Sequence, residues 1–153
     1  MRCRNLCGVA IDKSGDAWRG EDAADLAEYL QDFEAGGYRI GRVVAAECEG
    51  CAGVVFRLRA DPEEGCAERT CAECGKTAFM LDSEDYWEDA APEPVRCRCG
   101  ADRFEVGVAF SLRANGDVRW ASVGVRCVDD GVLGCCADWK IDYSPSADLL
   151  DRV

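Results

Sequence analysis

Phe104, Val106, Val108, Phe110 and Leu112 alternate without a break, a period of two that predicts a β-strand with one packed face. Asn115-Gly116 follows and Val118 to Arg126 runs back, so this stretch predicts an antiparallel hairpin with Asn-Gly in its turn. Val54 to Arg59 is a shorter strand, with Phe56 and Leu58 on one face and Arg57 and Arg59 on the other. Lys76 to Leu81 is its expected neighbour, Tyr38 to Ala46 an earlier strand, and Trp139, Ile141 and Tyr143 alternate in a last one. One segment changes period. Ala23, Leu26, Ala27, Leu30 and Phe33 recur at three- and four-residue steps, which predicts an amphipathic helix over 21–34 ended by Gly36-Gly37. Ser144-Pro145 reads as the cap and first turn of a short C-terminal helix running through Leu149 and Leu150. The expected fold class is therefore α+β, with small antiparallel β-ribbons between an N-terminal amphipathic helix and a short C-terminal helix.

A chain of 153 residues has room for one ordinary domain or two very small ones. An acidic connector at 82–93 contains Tyr86 and Trp87 and ends in Pro92-x-Pro94, which makes it the best candidate boundary. The expected organisation is 1–46 (helix and lead-in strand), 47–95 (first cysteine ribbon with the connector) and 96–153 (second ribbon, last strand and helix), closing or not into one compact unit. No apolar run approaches the length needed to cross a bilayer. The opening Met-Arg-Cys-Arg-Asn-Leu-Cys lacks the apolar stretch of a secretory signal, so a cytoplasmic location and no membrane partner are expected.

Charge narrows the choice of partner. The formal net charge is −12, which opposes loose, charge-driven adhesion to nucleic acid. Segments 21–34 and 82–93 each carry six acids and no base, whereas 96–126 carries six arginines against three acids, a local +3. Arg113 and Arg119 in that stretch are the residues a nucleic-acid-associated factor would use. The acidic segments are what an inhibitor or immunity protein would turn toward a basic partner.

Twelve cysteines and no histidine change the picture most. Without histidine there is no Ser-His-Asp triad, Cys-His dyad or histidine-containing deaminase signature, and no phosphate-binding glycine loop is present. Catalytic residues are therefore not assigned. The cysteines come in close pairs: Cys48-Glu-Gly-Cys51, Cys71-Ala-Glu-Cys74 and Cys97-Arg-Cys99. A Cys-x-x-Cys turn sets two sulfurs on one side of a tight loop, where one tetrahedral Zn²⁺ takes both, and the run through Cys48, Cys51, Cys71 and Cys74 has the two-pair spacing of a structural zinc site. The alternative is four buried or redox-active thiols.

A second site is expected from Cys97, Cys99, Cys127 and Asp130. A glycine immediately follows the pair at Gly75, Gly100 and Gly131, and by that repeat Asp130 stands where a fourth thiolate belongs. Carboxylate oxygen is an allowed zinc ligand. Against this, Asp130-Gly131 is also an ordinary turn dipeptide, and Cys135 or Cys136 could close the shell instead. Cys3 and Cys7 could join Cys135 and Cys136 around a third metal. Otherwise these four, with Cys66, are small buried apolar residues.

The paired turns Cys48-Glu-Gly-Cys51 and Cys71-Ala-Glu-Cys74-Gly75 resemble the zinc knuckles of zinc-ribbon proteins, over roughly residues 46–131. Arg126-Cys127-Val-Asp-Asp-Gly131, Asp138-Trp139-Lys140 and Ser144-Pro145-Ser146 are similar to the tail of uncharacterised bacterial proteins of similar size. The resemblance implies a metal and a fold element. The function expected is a non-enzymatic zinc-binding protein acting as a protein-interaction or adaptor module, with Tyr86 and Trp87 as contact residues or, equally, as packing over a ribbon edge.

Overall fold

The computed structural model describes residues 15, 17–32 and 37–153. One helix, α1 (Ala23–Gln31), precedes eight strands: β1 (Arg42–Ala45), β2 (Val55–Asp61), β3 (Cys66–Cys71), β4 (Thr77–Phe79), β5 (Glu93–Pro94), β6 (Phe104–Leu112), β7 (Val118–Cys127) and β8 (Leu133–Lys140). All strand pairs are antiparallel, in the order β4-β3-β2-β6-β7-β8, with β1 added to β6 and β5 to β2. This is an α+β arrangement dominated by sheet. Among the described residues no helix is long and apolar enough to cross a membrane.

The β6–β7 hairpin lies where its alternation predicts, and Gly116 supplies the positive φ, 92°, that its turn requires. Strand β6 is buried on both faces because its two faces differ in size. Phe104, Val106, Val108 and Phe110 fill the main core, whereas Gly107 and Ala109 face the other way. Gly107 pairs with Gly124 of β7, and this flat spot seats Leu30 of α1. Leu26, Tyr29 and Leu30 complete the contact with Ile40 and Leu133. Asp22 caps α1 by accepting the Asp25 amide.

On the opposite face the β2–β3 limb folds over β8, enclosing Phe56, Leu58, Met80, Leu81, Trp139 and Ile141. Two buried carboxylates serve that core. Asp82, 2 % exposed, accepts from the Trp139 indole (3.1 Å) and the Tyr143 hydroxyl (2.9 Å). Asp117 accepts from the amides of Ser146 and Ala147 and the hydroxyl of Ser144, and these donors hold its carboxyl below the usual range, the Ser144 hydroxyl most of all.

Several expected elements move. The neighbour of β2 is β3, not 76–81; β4 pairs with β3 instead. Strand β3 hid because Cys-Ala-Glu-Arg-Thr-Cys has no apolar alternation. Its inward Arg69, 5 % exposed, lies over the Phe56 ring and donates to the Val153 carbonyl. The last strand starts at Leu133, six residues before Trp139, across a bulge opposite Val123 and Gly124. Pro145 stays outside the C-terminal helix. Ser144-Pro145 is a cis peptide, and a short 3₁₀ turn follows over Ala147–Asp151 with Ser146 at its N-cap position. Strand formation in the 38–46 stretch is confined to Arg42–Ala45. The predicted end of the 21–34 helix falls in 33–36, which lies outside the described residues, as do Cys3 and Cys7.

Candidate metal centre

Strands β2 and β6 share only two residue pairs, Val55↔Glu105 and Phe56↔Phe104. A cysteine loop leads into each of these strand starts, so one cluster sits on either side of that short seam. Cys48, Cys51, Cys71 and Cys74 form the first, and Cys97, Cys99, Cys127 and Asp130 the second; within each, the donor atoms all lie within 4.8 Å of one another. The acid at 130, rather than Cys135 or Cys136, completes the second group.

The turns explain why. In the second half of the first cluster the Cys71 amide donates to the Lys76 carbonyl (2.9 Å) and the Gly75 amide to the Cys71 carbonyl (3.0 Å). In the second cluster the Cys127 amide donates to the Val132 carbonyl (2.9 Å) and the Gly131 amide to the Cys127 carbonyl (2.8 Å). The offsets are the same, so Asp130 occupies the position of Cys74. Cys48 repeats the pattern, its amide bonding Gly53 and its carbonyl accepting from Ala52. Ala52 stands in the glycine position with φ 61°, a left-handed residue that no sequence signal announced. The Cys97 turn is one residue tighter, closing on Ala101 and Gly100.

The donor separations suit a tetrahedral ion. Zinc–sulfur bonds of about 2.3 Å at the tetrahedral angle set sulfurs about 3.8 Å apart, and a zinc–oxygen bond of about 2.0 Å brings that oxygen to about 3.5 Å from a sulfur. Cys48 and Cys74 sulfurs lie 3.5 Å apart, Cys51 and Cys71 3.6 Å, and Cys99 and Cys127 3.7 Å. The Cys97 sulfur is 3.5 and 3.6 Å from the two Asp130 oxygens. Gly53 leaves the space for this approach: a Cβ there would stand 3.1 and 3.2 Å from the sulfurs of Cys71 and Cys51.

Protonation differs between the clusters. The Cys51 and Gly50 amides bring the Cys48 thiol down to about 6, and the Cys74 amide lowers Cys71, while Cys51 rises to about 12 despite the Gly53 amide, under hydrogen bonding to Cys71 and burial. Burial pushes Cys97 up to about 12 and also raises Cys127. At Asp130 burial is outweighed by the Val132 amide and the thiols of Cys127, Cys97 and Cys99, which hold its carboxyl below the ordinary range.

The other singled-out residues are engaged elsewhere or stand apart. The Arg113 guanidinium donates to the Ile141 carbonyl, and Arg119 stacks over Tyr38. Trp87 packs edge-on against Phe79 under Arg59, so it covers the ribbon edge, while Tyr86 is 37 % exposed. Burial raises the Cys66 and Cys136 thiols to about 11 and about 12. No family model, curated protein or solved structure matches this chain, so its chemistry rests on the two clusters themselves.

Proposed function

We propose that this is a non-enzymatic zinc protein, with Zn²⁺ held by Cys48, Cys51, Cys71 and Cys74 and a second Zn²⁺ by Cys97, Cys99, Cys127 and Asp130, and that the framework so held serves as a protein-interaction or adaptor module. The observation that carries this reading is the shared turn geometry, which converges four donors twice at tetrahedral spacing. Thiolate-rich sets favour zinc over the hard cations, and four protein donors complete a structural shell. Four protein donors at each cluster leave no open position for a reacting water, which supports a structural rather than a catalytic metal. The acidic charge and the engagement of Arg113 weigh against nucleic acid as the partner.

Elemental analysis of protein purified without added metal tests the metal. Two equivalents of zinc are expected, and a zinc content below half an equivalent would sink the reading. The adaptor role is tested by recovering protein partners from the source extract with wild-type and chelator-stripped bait. A partner retained only by the metal-loaded bait is the expected outcome.

A further inference from the structure

A cavity of about 420 Å³ opens between the β2–β5 edge and strands β6 to β8, where the strands diverge after their two shared pairs. Its wall is mostly apolar and includes Val95, Phe104, Val125 and Val132, and its size is that of a small-molecule site rather than a packing defect. Two features single it out. Arg96 and Arg98 stand exposed on its wall, and among the described residues neither has a hydrogen-bonding or ion-pairing partner. In a chain of net charge −12, two free guanidiniums beside an apolar hollow are an uncommon combination, and Glu93 is the one acid on the same wall.

The second feature is Gly134, inside β8. Its φ is not in the left-handed region, and a Cβ built there would meet nothing within 4 Å among the described residues. Gly134 pairs with Val125, which also lines the cavity, and it stands on the cavity wall with Cys135 and Cys136 beside the bulge of β8. A glycine in a strand interior costs stability and often marks the close approach of a ligand.

We propose that this cavity binds a small amphipathic anion, free in solution: an apolar body against Phe104, Val125 and Val132, over the bare backbone of Gly134, and a single carboxylate or phosphate head on Arg96 and Arg98. Guanidinium pairs bind either head by charge-assisted hydrogen bonds, and the apolar body contributes by leaving water.

Calorimetric titration of the full chain with octanoate and octyl phosphate, below their micelle concentrations, tests this, with octylammonium as the charge-reversed probe. At least one anion binds at a single site, and octylammonium binds about tenfold more weakly or not at all. The double variant Arg96→Ala/Arg98→Ala, altered only at exposed positions, weakens the anion by about tenfold or more. Gly134→Leu, which fills the hollow, abolishes binding while circular dichroism and zinc content stay as in the wild type. Absence of binding for both anions up to about 5 mM, a free energy near the weak end of specific association, would overturn the proposal. So would equal binding of octylammonium, or anion affinity unchanged in the arginine variant. Zinc counted in every sample separates loss of the second metal, whose ligand Cys97 borders the cavity, from loss of the cavity.

Discussion

Gly75 and Gly131 hold the same place in two turns of the same design, yet their surroundings differ. A Cβ at Gly75 would meet nothing within 4 Å, whereas one at Gly131 would stand 2.7 Å from the Gly20 carbonyl oxygen. The chain before α1 crosses over the second cluster: Gly20 donates to the Gly131 carbonyl (2.9 Å), Leu133 to the Trp18 carbonyl (2.7 Å), and Arg126 bridges the Gly20 carbonyl and Glu105 at 2.7 Å each. Among the described residues nothing covers the Gly75 turn of the first cluster in this way. Its thiols are on balance the more readily ionised, while the second combines raised thiols with a carboxylate. Backbone turn and donor chemistry are thus separable. The turn decides where the fourth donor points; the donor decides how tightly it holds.

Breaking the first cluster gives the largest effect. Cys71→Ser is expected to remove one zinc equivalent and unfold the β2–β4 limb, because metal binding of this kind is itself folding free energy, on the order of 10 kcal/mol. Loss of amide protection in β2 and β3 alongside the zinc count checks it, and full protection with an unchanged count would contradict it. In the second cluster Asp130→Ala should lower affinity by about 100-fold, the upper end of what losing even an outer partner costs. A chelator titration then shows that zinc leaving first, with the Cys48 group still loaded.

Acid sharpens the contrast further. Protons compete with the metal for thiolate, so the cluster whose metal-free thiols titrate higher loses its ion at the higher pH. Each cluster holds one thiol near 12, Cys51 in the first and Cys97 in the second. The first also has Cys48 near 6 and a lowered Cys71 where the second has a raised Cys127, so the second is expected to empty first as pH falls. Zinc release followed with a colorimetric indicator from pH 7 downward should show two steps, and Asp130→Ala should move only the earlier one. The smallest effect is a gain: Asp130→Cys should tighten the second site and raise the thermal midpoint by about 3 °C per kcal/mol of added stability in a chain of this size. A lowered midpoint with wild-type zinc content would mean that the larger sulfur does not fit under Gly20.

The cysteines of both clusters were legible in the sequence, because cysteine spacing is a local signal that survives without tertiary context. The fourth donor of the second stayed open between Asp130, Cys135 and Cys136 until the shared turn brought Asp130 in. The β6–β7 hairpin was equally plain, its alternation and Asn115-Gly116 agreeing at two levels. What escaped was decided by partners distant in sequence. Strand β3 turns Arg69 inward because the ring of Phe56 and the carbonyl of Val153 receive it. Strand β8 begins among glycine and cysteines, and its bulge breaks the period of two. Ala52 takes a left-handed conformation because the Cys48 turn demands one. The cavity left no mark on the hydrophobic pattern, since its clearest sign is a side chain that is missing.

The flat spot made by Gly107 and Gly124 restricts which sequences can be reached from this one, and in which order. A Cβ at Gly124 would lie 2.5 to 2.9 Å from three carbons of Leu30, so Gly124→Ala taken first collides with a fully buried side chain. Taken in the other order the route is open: Leu30→Ala leaves a hollow, at a cost of about 2–5 kcal/mol, that an alanine at 124 then partly refills. Residues 30 and 124 are therefore one inherited unit written in two places, on a helix and on a strand. Change in either is tolerated only along a path that begins at the helix.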